Sequence, residues 1–552
     1  MDKNKIKIAG IWSGHDCASC ILENGNPTLH VELERYIREK EPAGDSIKLL
    51  FDTYKEMEDV KYLATCYPSN KLLQYEDSYN RLKKIVDKNG GEMYMMSHHQ
   101  AHAANTFFSS NYDEALIITM DGGGIEDENP MKATACTIWK GSGNKIEHIK
   151  TFTPQEINIG SIWTRCTRYI FGLQSGWPYG HQAGTVMALA TIPGADGNRF
   201  YDDFRKMLTV DIDEAGHKPS NQPVGPNTGK DPIHPYLGKW TKMAQEDEQT
   251  KYDIAASLQK ATEQSFKDII KYALSEYESE NLCLAGGVTL NSVAVGKVWD
   301  WFPTIKNIYV TPTPHDGGLP IGAAQYVWHH ILDNPRVEWK DNCSASLGEL
   351  YSKENIDDTI EKYKDKIVTE KADDTKLLDL LENQKIVSVF GGGSESGRRA
   401  LGNRSILADP RSSDMKDMIN EKVKHRQWFR PFAPSIIREA VKDWFIKDVD
   451  SPYMSVVLPF KENMKDKVKA VNHLDGTGRL QSVTENDNKW YYNIIKKFGE
   501  RTGVPILLNT SFNDREPIVE TPEHAISCFL GTDIDYVYFY DVGILVSKKE
   551  TN

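Results

Sequence analysis

Two histidines one helical turn apart are the first residues whose types and spacing could do chemistry. His98 and His102 follow Ser97, a residue type that favours the N-terminal cap of a helix, so a helix is predicted to begin at His98. Residues i and i+4 share one face of a helix, and two imidazoles placed there can bind one metal ion. A third ligand must come from elsewhere, and Asp316, where a predicted strand ends, is a candidate. The alternative is a helix that carries surface histidines.

Two glycine turns, each at the end of a predicted strand, could bring backbone N–H groups close to a phosphate or a ribose. One turn follows residues 115–120 and the other follows residues 282–285. Neither matches the spacing of a P-loop or of a Rossmann dinucleotide site, and a plain turn is the alternative for each. The candidate nucleotide-binding residues in these turns are Asp121, Gly122, Gly123, Gly286, Gly287 and Asn291.

The carboxyl-terminal half carries a third group of candidates, in which cations alternate with glycine, aromatic residues and proline. Arginine forks match the geometry of phosphate oxygens, and lysine adds a point charge. A solvated charged face would not interleave its cations with such residues, so the pattern predicts a phosphate pocket. The cations of this region are Arg398, Arg399, Arg404, Lys422, Lys424, Arg426 and Arg430.

Two shorter motifs near the N-terminus are weaker signals. His15, between Gly14 and Asp16, lies at a turn between two predicted strands, where an exposed base could act, although a lone histidine is more often structural. Cys17 and Cys20 form a Cys-x-x-Cys pair that has no second copy in the sequence, and the alternating strand pattern places both thiols in a sheet. A redox or zinc site there is not favoured.

The elements that must position these residues are those of an α/β protein. Strands over residues 5–12, 17–22 and 28–34 surround an Asn-Gly turn, and a long helix is predicted over 250–277 before the strand at 282–285. Strand, glycine turn and helix in repetition indicate α/β architecture. Gly, Pro, Asn and Asp crowd residues 214–237, which predicts a functional or mobile loop, and the change in composition over 334–374 predicts a domain boundary.

Composition limits the classes of function. The 552 residues include 66 Lys and Arg against 79 Asp and Glu, a net charge of −13, and 39% of them are apolar. This chain can bury proper cores, and its acidity argues against a general role in coating nucleic acid, although a local basic groove stays open. The first residues lack the apolar core of a secretory signal, no stretch is long and apolar enough for a membrane span, and the eight cysteines are scattered. We therefore expect a reduced, cytoplasmic protein without a membrane partner.

Taken together, the motifs resemble those of the O-carbamoyltransferase family that includes the nodulation-factor and tobramycin carbamoyltransferases. They occur over nearly the whole chain and in the family's order, and as a set they are specific although no single one is. The matching segments are His-His-Gln-Ala-His-Ala, Met-Asp-Gly-Gly-Gly, Leu-Ala-Gly-Gly-Val-Thr-Leu-Asn-Ser, Pro-His-Asp-Gly-Gly-Leu-Pro-Ile-Gly-Ala-Ala, Arg-Ala-Leu-Gly-Asn-Arg-Ser-Ile-Leu-Ala-Asp-Pro-Arg, Phe-Arg-Pro-Phe-Ala-Pro-Ser, Asp-Gly-Thr-Gly-Arg-Leu-Gln and Leu-Asn-Thr-Ser-Phe-Asn.

The resemblance implies a two-domain enzyme. Residues 1–350 would form a duplicated actin/sugar-kinase-like domain that transfers the carbamoyl group, and residues 366–552 a smaller α/β domain that resembles the threonylcarbamoyl-adenylate synthase fold. The second domain would convert carbamoyl phosphate and ATP to carbamoyl-adenylate. The first would pass the carbamoyl group to a hydroxyl of a sugar, a natural product, or a hydroxymethylated pyrimidine of a nucleotide or DNA. A homodimer is implied by family analogy.

The resemblance also implies roles for individual residues. It places a divalent metal, iron in this family, on His98, His102 and Asp316, and the nucleotide on the two glycine turns. His15 falls where the family has a base near the acceptor, and Lys40 falls in the family's Glu-Arg-aromatic-x-Arg-x-Lys stretch. The carbamoyl phosphate site would comprise Arg399, Arg404, Lys424, Arg430, Arg479, Asn509 and Ser511.

One segment departs from the family pattern and leaves the acceptor open. The family's Glu-Gly-Lys-Val-Met-Gly-Leu-Ala is replaced by a segment in which Ala183 and Thr185 stand for the glutamate and the lysine. Two other functions stay as alternatives to carbamoyl transfer. One is a kinase or ATPase of the actin-like superfamily, which would leave the arginine-rich region without a purpose, and the other is a nucleotide-sensing or scaffold protein without turnover.

Overall fold

The computed structural model describes residues 5–125, 133–173, 182–208, 212–213, 216–217, 233–337 and 345–549. The chain divides into two compact units. The first comprises Met1–Glu34 and Glu39–Glu338, and the second comprises Arg35–Arg38 and Trp339–Asn552. The division at 350 and 366 that the sequence suggests stays a prediction about folding domains.

The first sheet of the first unit has the order β3-β2-β1-β4-β5, in which β1, β2 and β3 are antiparallel and β4 and β5 run parallel to β1. The predicted hairpin is present, since Asn24 and Gly25 both have positive φ, at 48° and 89°, as the favoured two-residue turn requires. The strands are β1 (Lys7–Trp12), β2 (Ala18–Glu23), β3 (Asn26–Glu32), β4 (Val60–Thr65) and β5 (Met93–Met95).

The second sheet of this unit repeats the same plan, with the order β12-β11-β6-β7-β8. Strands β6, β7 and β8 are antiparallel, and β11 and β12 run parallel to β6. An identical strand order in two sheets of one unit is a duplication, and it confirms the actin/sugar-kinase-like fold that the resemblance implies. The strands are β6 (Glu114–Ile125), β7 (Ala133–Ser142), β8 (Lys145–Phe152), the separate pair β9 (Ile212–Asp213) and β10 (Gly216–His217), β11 (Asn281–Ala285) and β12 (Asn307–Val310).

Two helices of the first unit pack against each other, and each also packs on a different one of its two five-stranded sheets. The helix α5 packs on β6 and β11, and α13 packs on β1, β2 and β4 and against α5. The long α10 contains the helix expected over 250–277, and Asp247 caps it by accepting from the backbone N–H groups of Gln249 and Thr250. The helices are α1 (Leu33–Ile37), α2 (Ser46–Thr53), α3 (Ser69–Leu72), α4 (Glu76–Lys88), α5 (His98–Ser109), α6 (Ile159–Arg165), α7 (Ala183–Leu189), α8 (Tyr201–Leu208), α9 (His234–Glu246), α10 (Glu248–Glu276), α11 (Ser292–Gly296), α12 (Val298–Trp301) and α13 (Leu319–Gln325).

Part of the loop expected over 214–237 lies outside the described residues, namely 214–215 and 218–232. Its ends are regular structure, because β10 occupies Gly216–His217 and α9 begins at His234. The proline after His234 is the second helical residue, where a missing N–H costs no hydrogen bond. The loop prediction was therefore wrong at these positions.

The second unit is built on a nine-stranded mixed sheet with the order β13-β21-β20-β14-β15-β19-β16-β18-β17. Apolar residues of its helices and central strands form one buried cluster, which includes Leu381, Val389, Phe498 and Leu507. The strands are β13 (Ile367–Lys371), β14 (Val387–Phe390), β15 (Arg404–Ala408), β16 (Ala433–Ile437), β17 (Val456–Pro459), β18 (Thr477–Val483), β19 (Ile506–Ser511), β20 (Tyr536–Phe539) and β21 (Ile544–Lys548). The helices are α14 (Lys353–Tyr363), α15 (Asp374–Glu382), α16 (Asp414–Met418), α17 (Val441–Trp444), α18 (Lys489–Thr502) and α19 (Pro522–Gly531).

Over the described ranges, every helix is too short or too polar to cross a bilayer.

Close packing of α13 on the first sheet gives a test of this fold. A Cβ at Gly10 would lie 2.0 Å from the carbonyl oxygen of Pro320 and 2.8 Å from Cys20 Sγ. We expect Gly10→Ala to lower the free energy of unfolding by about 1–3 kcal/mol, because backbone atoms must move to admit the methyl group. Thermal unfolding measures the change as a lower midpoint.

The matched control is Gly238→Ala in α9, where a Cβ would meet no heavy atom within 4 Å. Alanine should be favoured there by up to about 1 kcal/mol, because it has the higher helix propensity. Equal midpoints for the two variants would contradict the packing of α13 described above.

Candidate functional site

The carboxyl ends of parallel strands meet at one edge of the second sheet, and candidate residues lie near the ends of three of these strands. Asp121 lies in β6, Gly286 follows β11 and Asp316 follows β12. The pairing of β6 with β7 shifts register between Met120 and Gly124, so the residues of the first glycine turn leave the ladder. Such an edge is where α/β sheets bind ligands.

The helix α5 brings its two histidines to the same place. Ser97 caps it as predicted, in a reciprocal capping box with Gln100. The Nε2 atoms of His98 and His102 lie 3.2 Å apart, and both side chains are buried. This confirms the predicted helix and excludes the alternative that these two histidines lie on the surface.

The structure gathers the two histidines and two carboxylates around one point. Asp316 Oδ1 lies 3.4 Å from His98 Nε2 and 3.5 Å from His102 Nε2, and Asp121 Oδ2 lies 3.4 Å from His102 Nε2. One donor atom from each of the four residues falls within 4.8 Å of the others. Two nitrogen and two oxygen donors that converge in this way fit a divalent cation.

The sequence did not predict Asp121 as a metal-ligand candidate, since it had been assigned to the nucleotide turn alone. The available signal was the shared sheet edge, because Asp121 and Asp316 both lie at the carboxyl ends of parallel strands. That signal requires the strand order, which the sequence does not provide. The metal role of the four residues stays a proposal.

The charges within this cluster shift one another strongly. Burial opposes the charge of His102, but hydrogen bonds to Asp121 and Asp316 outweigh it and raise the pKa of His102 to about 9. Burial also works against ionised Asp316, yet His98 and His15 outweigh it and hold its pKa well below the usual range. The neighbouring His99 differs, since burial lowers its pKa to about 3 and its ring bonds to Thr119 and Thr134. His99 is thus a neutral structural histidine beside the cluster.

His15 joins the cluster from the first sheet. Its Nε2 lies 3.3 Å from Asp316 Oδ2 and its Nδ1 lies 2.9 Å from Asp16 Oδ2. The His15 side chain is exposed, and the negative charge of Asp316 raises its pKa, with a further contribution from Asp16. His15 thus lies between two carboxylates that both favour its protonated form, and its role as a base stays a prediction.

The glycine turns meet at Asp121. Its Oδ2 accepts from the backbone N–H of Gly287 at 2.7 Å, and its Oδ1 accepts from the N–H of Gly122 at 2.5 Å. Gly286 has φ of 91°, and a Cβ on it would lie 2.0 Å from the carbonyl oxygen of Met120. The two turns are therefore in contact, and glycine at 286 is required for that contact.

The side chain of Asn291 has internal partners. It exchanges two hydrogen bonds with Gln259, at 3.1 and 3.0 Å, and caps α11 by accepting from Ala294 N–H at 3.1 Å. Its geometry suits holding the second turn rather than reaching outward.

Lys40 is half-buried and directly precedes the buried Glu41, and its catalytic role stays a prediction.

In the second unit, Arg399, Arg430 and Arg479 come together with Arg426. Burial lowers the pKa of Arg399, and the charges of Arg479, Arg398 and Arg430 lower it further. Burial and Arg430 lower the pKa of Arg479 to about 10. Within the described ranges, no carboxylate pairs with Arg399, Arg430 or Arg479. Clustered guanidinium groups that pair with no carboxylate leave positive charge available to an anion.

Two other predicted phosphate ligands have their donors engaged within the protein. Arg404 is fully buried, donates to the carbonyl oxygens of Gly391, Gly392 and Asn403, and stacks over Phe390 at 3.6 Å. The Nζ of Lys424 donates to the carbonyl oxygens at positions 511 and 513 and to the Asn513 side chain. These contacts suit a role in shaping the site.

The last two predicted residues lie on β19 beside this region. Asn509 Nδ2 donates to Ala400 O at 3.0 Å and to Gln481 Oε1 at 2.9 Å, so it supports the segment that carries Arg399. Ser511 Oγ donates to Asn513 Oδ1 at 2.7 Å and lies 3.3 Å from Lys424 Nζ. Among the predicted residues, the structure therefore places Arg399, Arg430 and Arg479 close enough for their positive charges to interact. It joins Lys424 and Ser511 by hydrogen bonds.

The chain thus combines a duplicated actin-like unit, which carries the histidine and aspartate cluster, with an α/β unit that carries the arginines. Two family models match the sequence, Carbamoyltransferase N-terminus over residues 65–325 and Carbamoyltransferase C-terminus over residues 378–546. The chain belongs to the carbamoyltransferase family, as the motifs predicted, and it is a transferase enzyme.

The chain is similar in sequence to two bacterial proteins over most of its length. Protein sll1178 of Synechocystis is 34% identical over 488 residues, which cover 80% of this chain and 74% of that protein. Nodulation protein NolO of Bradyrhizobium diazoefficiens is 32% identical over 448 residues, 80% of this chain and 77% of that protein. Among solved structures, HypF of T. kodakarensis is similar with a TM-score of 0.34 and 11% identity, over 60% of this chain and 50% of that one.

The fourth member of the histidine and aspartate cluster can be tested by metal binding. We expect Asp121→Asn to weaken binding of Fe²⁺ or Co²⁺ by at least about tenfold, because an anionic donor is replaced by a neutral one of the same shape. Anaerobic titration calorimetry measures the affinity and the stoichiometry. His148→Ala, which removes an exposed histidine of β8, is the control and should bind one ion as the parent does. Equal affinities for the parent and Asp121→Asn would remove Asp121 from the ligand set.

Proposed function

We propose that the protein is an ATP-dependent O-carbamoyltransferase. The second unit would form carbamoyl-adenylate from carbamoyl phosphate and ATP, and the first unit would transfer the carbamoyl group to an acceptor hydroxyl. The observation that carries the proposal is the group of arginines in the second unit that lack a carboxylate partner, because the substrates of adenylate formation are polyanions.

The proposed adenylation balances with one water molecule. Water releases inorganic phosphate from carbamoyl phosphate and leaves carbamate. A carbamate oxygen then attacks the α-phosphorus of ATP, and the bond to pyrophosphate breaks. The guanidinium groups of Arg399, Arg430 and Arg479 would bind the phosphate oxygens, since each planar fork can donate two hydrogen bonds.

The proposed transfer takes place at the cluster of the first unit. The acceptor oxygen attacks the carbamoyl carbon, the bond between that carbon and the AMP phosphate oxygen breaks, and AMP leaves. A divalent cation bound by His98, His102, Asp121 and Asp316, for which we propose iron, would offset the charge of the departing phosphate. The two glycine turns would present their backbone N–H groups to the nucleotide.

His15 is the proposed acceptor of the hydroxyl proton. Asp16 holds its Nδ1 at 2.9 Å, so the other nitrogen faces the cluster. The negative charge of Asp316 is the main factor that favours the protonated form of His15. Sharing that carboxylate with a cation reduces its effect on the ring and favours the neutral imidazole, which can take a proton.

The acceptor is the open part of the proposal. Ala183 and Thr185, which replace two charged residues of the family pattern, lie in α7, and the Thr185 side chain is buried. An acceptor bound here would therefore meet fewer charges than in relatives that keep the pattern. We propose sugars, natural products and hydroxymethylated pyrimidine nucleotides or DNA as the classes to screen, with mass detection of a carbamoyl adduct.

The adenylation site makes the first prediction of this proposal. Arg430→Ala should abolish pyrophosphate release that depends on carbamoyl phosphate, with a loss of at least about tenfold in kcat/KM, because a charged donor fork is removed. Exchange of labelled pyrophosphate into ATP measures the step. Arg438→Ala is the control, since Arg438 pairs with Asp448 and Asp450 and no clustered arginine contributes to its pKa shift. Unchanged exchange in Arg430→Ala would refute the site assignment.

The transfer site makes the second prediction of this proposal. His15→Ala should keep pyrophosphate exchange and reduce carbamoyl transfer by about 10² to 10⁴, because the proton acceptor is lost. Labelled carbamoyl phosphate, with AMP and carbamoylated product quantified, separates the two half-reactions. A variant in which both fail together would make His15 a structural or nucleotide-binding residue. ADP formation without a carbamoylated product would favour the kinase alternative, and nucleotide binding without turnover the scaffold.

A further inference from the structure

A buried asparagine of the second unit contacts the segment that carries two of the clustered arginines. Asn420 lies in a π-helical turn, Ile419–Val423, and its side chain is fully enclosed. π-Helical turns are rare and occur frequently at functional sites. Neither the motifs nor the predicted site residues include Asn420.

The amide of Asn420 makes three hydrogen bonds across this segment, residues 425–431, which we call the arginine loop. Its Oδ1 accepts from Arg426 Nε at 2.7 Å. Its Nδ2 donates to the carbonyl oxygens of Trp428 at 3.3 Å and Arg430 at 3.0 Å. The backbone adds a fourth contact, because Arg426 N–H donates to the carbonyl oxygen of Asn420 at 3.0 Å. One side chain thus fixes the loop at three positions.

The arginine loop needs such support because no strand or helix contains it. His425 at its start has φ of 43°, a left-handed conformation that non-glycine residues rarely adopt. Trp428 in its middle is 59% exposed, so packing of that side chain adds little. Repulsion among Arg426, Arg430 and Arg479 also acts to push the loop outward.

The neutrality of the amide matters as much as its geometry. A carboxylate at position 420 would pair with Arg426 and supply the negative charge that the cluster lacks. An amide accepts the same hydrogen bond and leaves the positive charge of the site for a ligand. Its two donors have no equivalent in a carboxylate, which would face the two carbonyl oxygens with like partial charge.

We propose that Asn420 is a positioning residue for anion binding, a neutral clamp that holds the arginine loop so that Arg430 faces a phosphate-bearing ligand. The inference rests on the proposed function, since the ligand is taken to be carbamoyl phosphate. Asn420 itself does not touch the ligand and acts through the backbone of Arg430 and the side chain of Arg426.

The test uses the full-length protein and two probes, inorganic phosphate and carbamoyl phosphate. Asn420→Asp should weaken binding of both probes by at least about tenfold in titration calorimetry, because two donors are lost and a negative charge is added. Asn420→Ser removes the same donors without adding charge, and should weaken binding by a smaller factor. If Asn420→Asp does not fold, the Ser variant carries the test alone. Loss of carbamoyl phosphate affinity should appear as a higher KM for carbamoyl phosphate.

The matched control is Asn89→Asp in the first unit. Asn89 also donates its amide to two backbone carbonyls, Glu58 O and Val60 O, both at 2.8 Å. It should change phosphate affinity by less than about twofold, because it lies in the other unit and shares no partner with the cluster. A comparable loss in both variants would show a general effect of removing an amide and overturn the proposal.

A double-mutant cycle separates positioning from mere stability. If Asn420 acts through the arginines, Asn420→Ser should reduce phosphate affinity by less than about twofold once Arg430 is alanine. Full additivity of the two losses would overturn the proposal. If the parent protein fails to bind carbamoyl phosphate, the proposed function fails; if the parent binds it and Asn420→Asp binds it equally well, only the role of Asn420 fails.

Discussion

The carboxylate of Asp121 accepts a hydrogen bond from Gly287 N–H and lies 3.4 Å from His102 Nε2, so one side chain joins the two glycine turns to the histidine cluster. This contact depends on the parallel pairing of β6 with β11, which brings the ends of both strands together. It also depends on Gly286, whose missing Cβ leaves room for the carbonyl of Met120. The duplicated fold of the first unit therefore has a direct chemical consequence, because the second sheet supplies both the proposed nucleotide turns and half of the proposed metal ligands.

The electrostatics of the second unit differ from those of the first, because the second unit concentrates positive charge. The first unit concentrates carboxylates and histidines, while the second holds Arg399, Arg430 and Arg479 close together, and none of the three pairs with a carboxylate in the part of the chain that the structure describes. Holding like charges together costs free energy, which the surrounding hydrogen bonds must offset. Buried neutral groups meet this need, with the Asn509 amide on Ala400 O and the Asn420 amide on the arginine loop. The donors of Arg404 and Lys424 also have partners within the protein, and their binding of carbamoyl phosphate stays a prediction.

Family membership and local geometry answer different questions here. The sequence matches and the strand order establish a carbamoyltransferase with a duplicated actin-like unit. The geometry then sorts the motif residues by what their polar atoms contact. Asn291, for example, is bonded to Gln259 and caps α11, which makes it a support of the second glycine turn.

The sequence by itself determined the local features of this protein, because they depend on neighbours in the chain. The Asn-Gly hairpin, the helix capped by Ser97, the long helix α10 and the strands before each glycine turn could all be predicted from spacing and residue type. The motifs also predicted the family and the duplicated fold. Only the tertiary structure decided that Asp121 joins the histidines and that His15 lies between two carboxylates. It likewise decided that Arg404 is enclosed by carbonyl groups while Arg430 meets Arg479. These outcomes depend on which strand ends share an edge and on which charges lie nearby in space, and residues far apart in the chain set both.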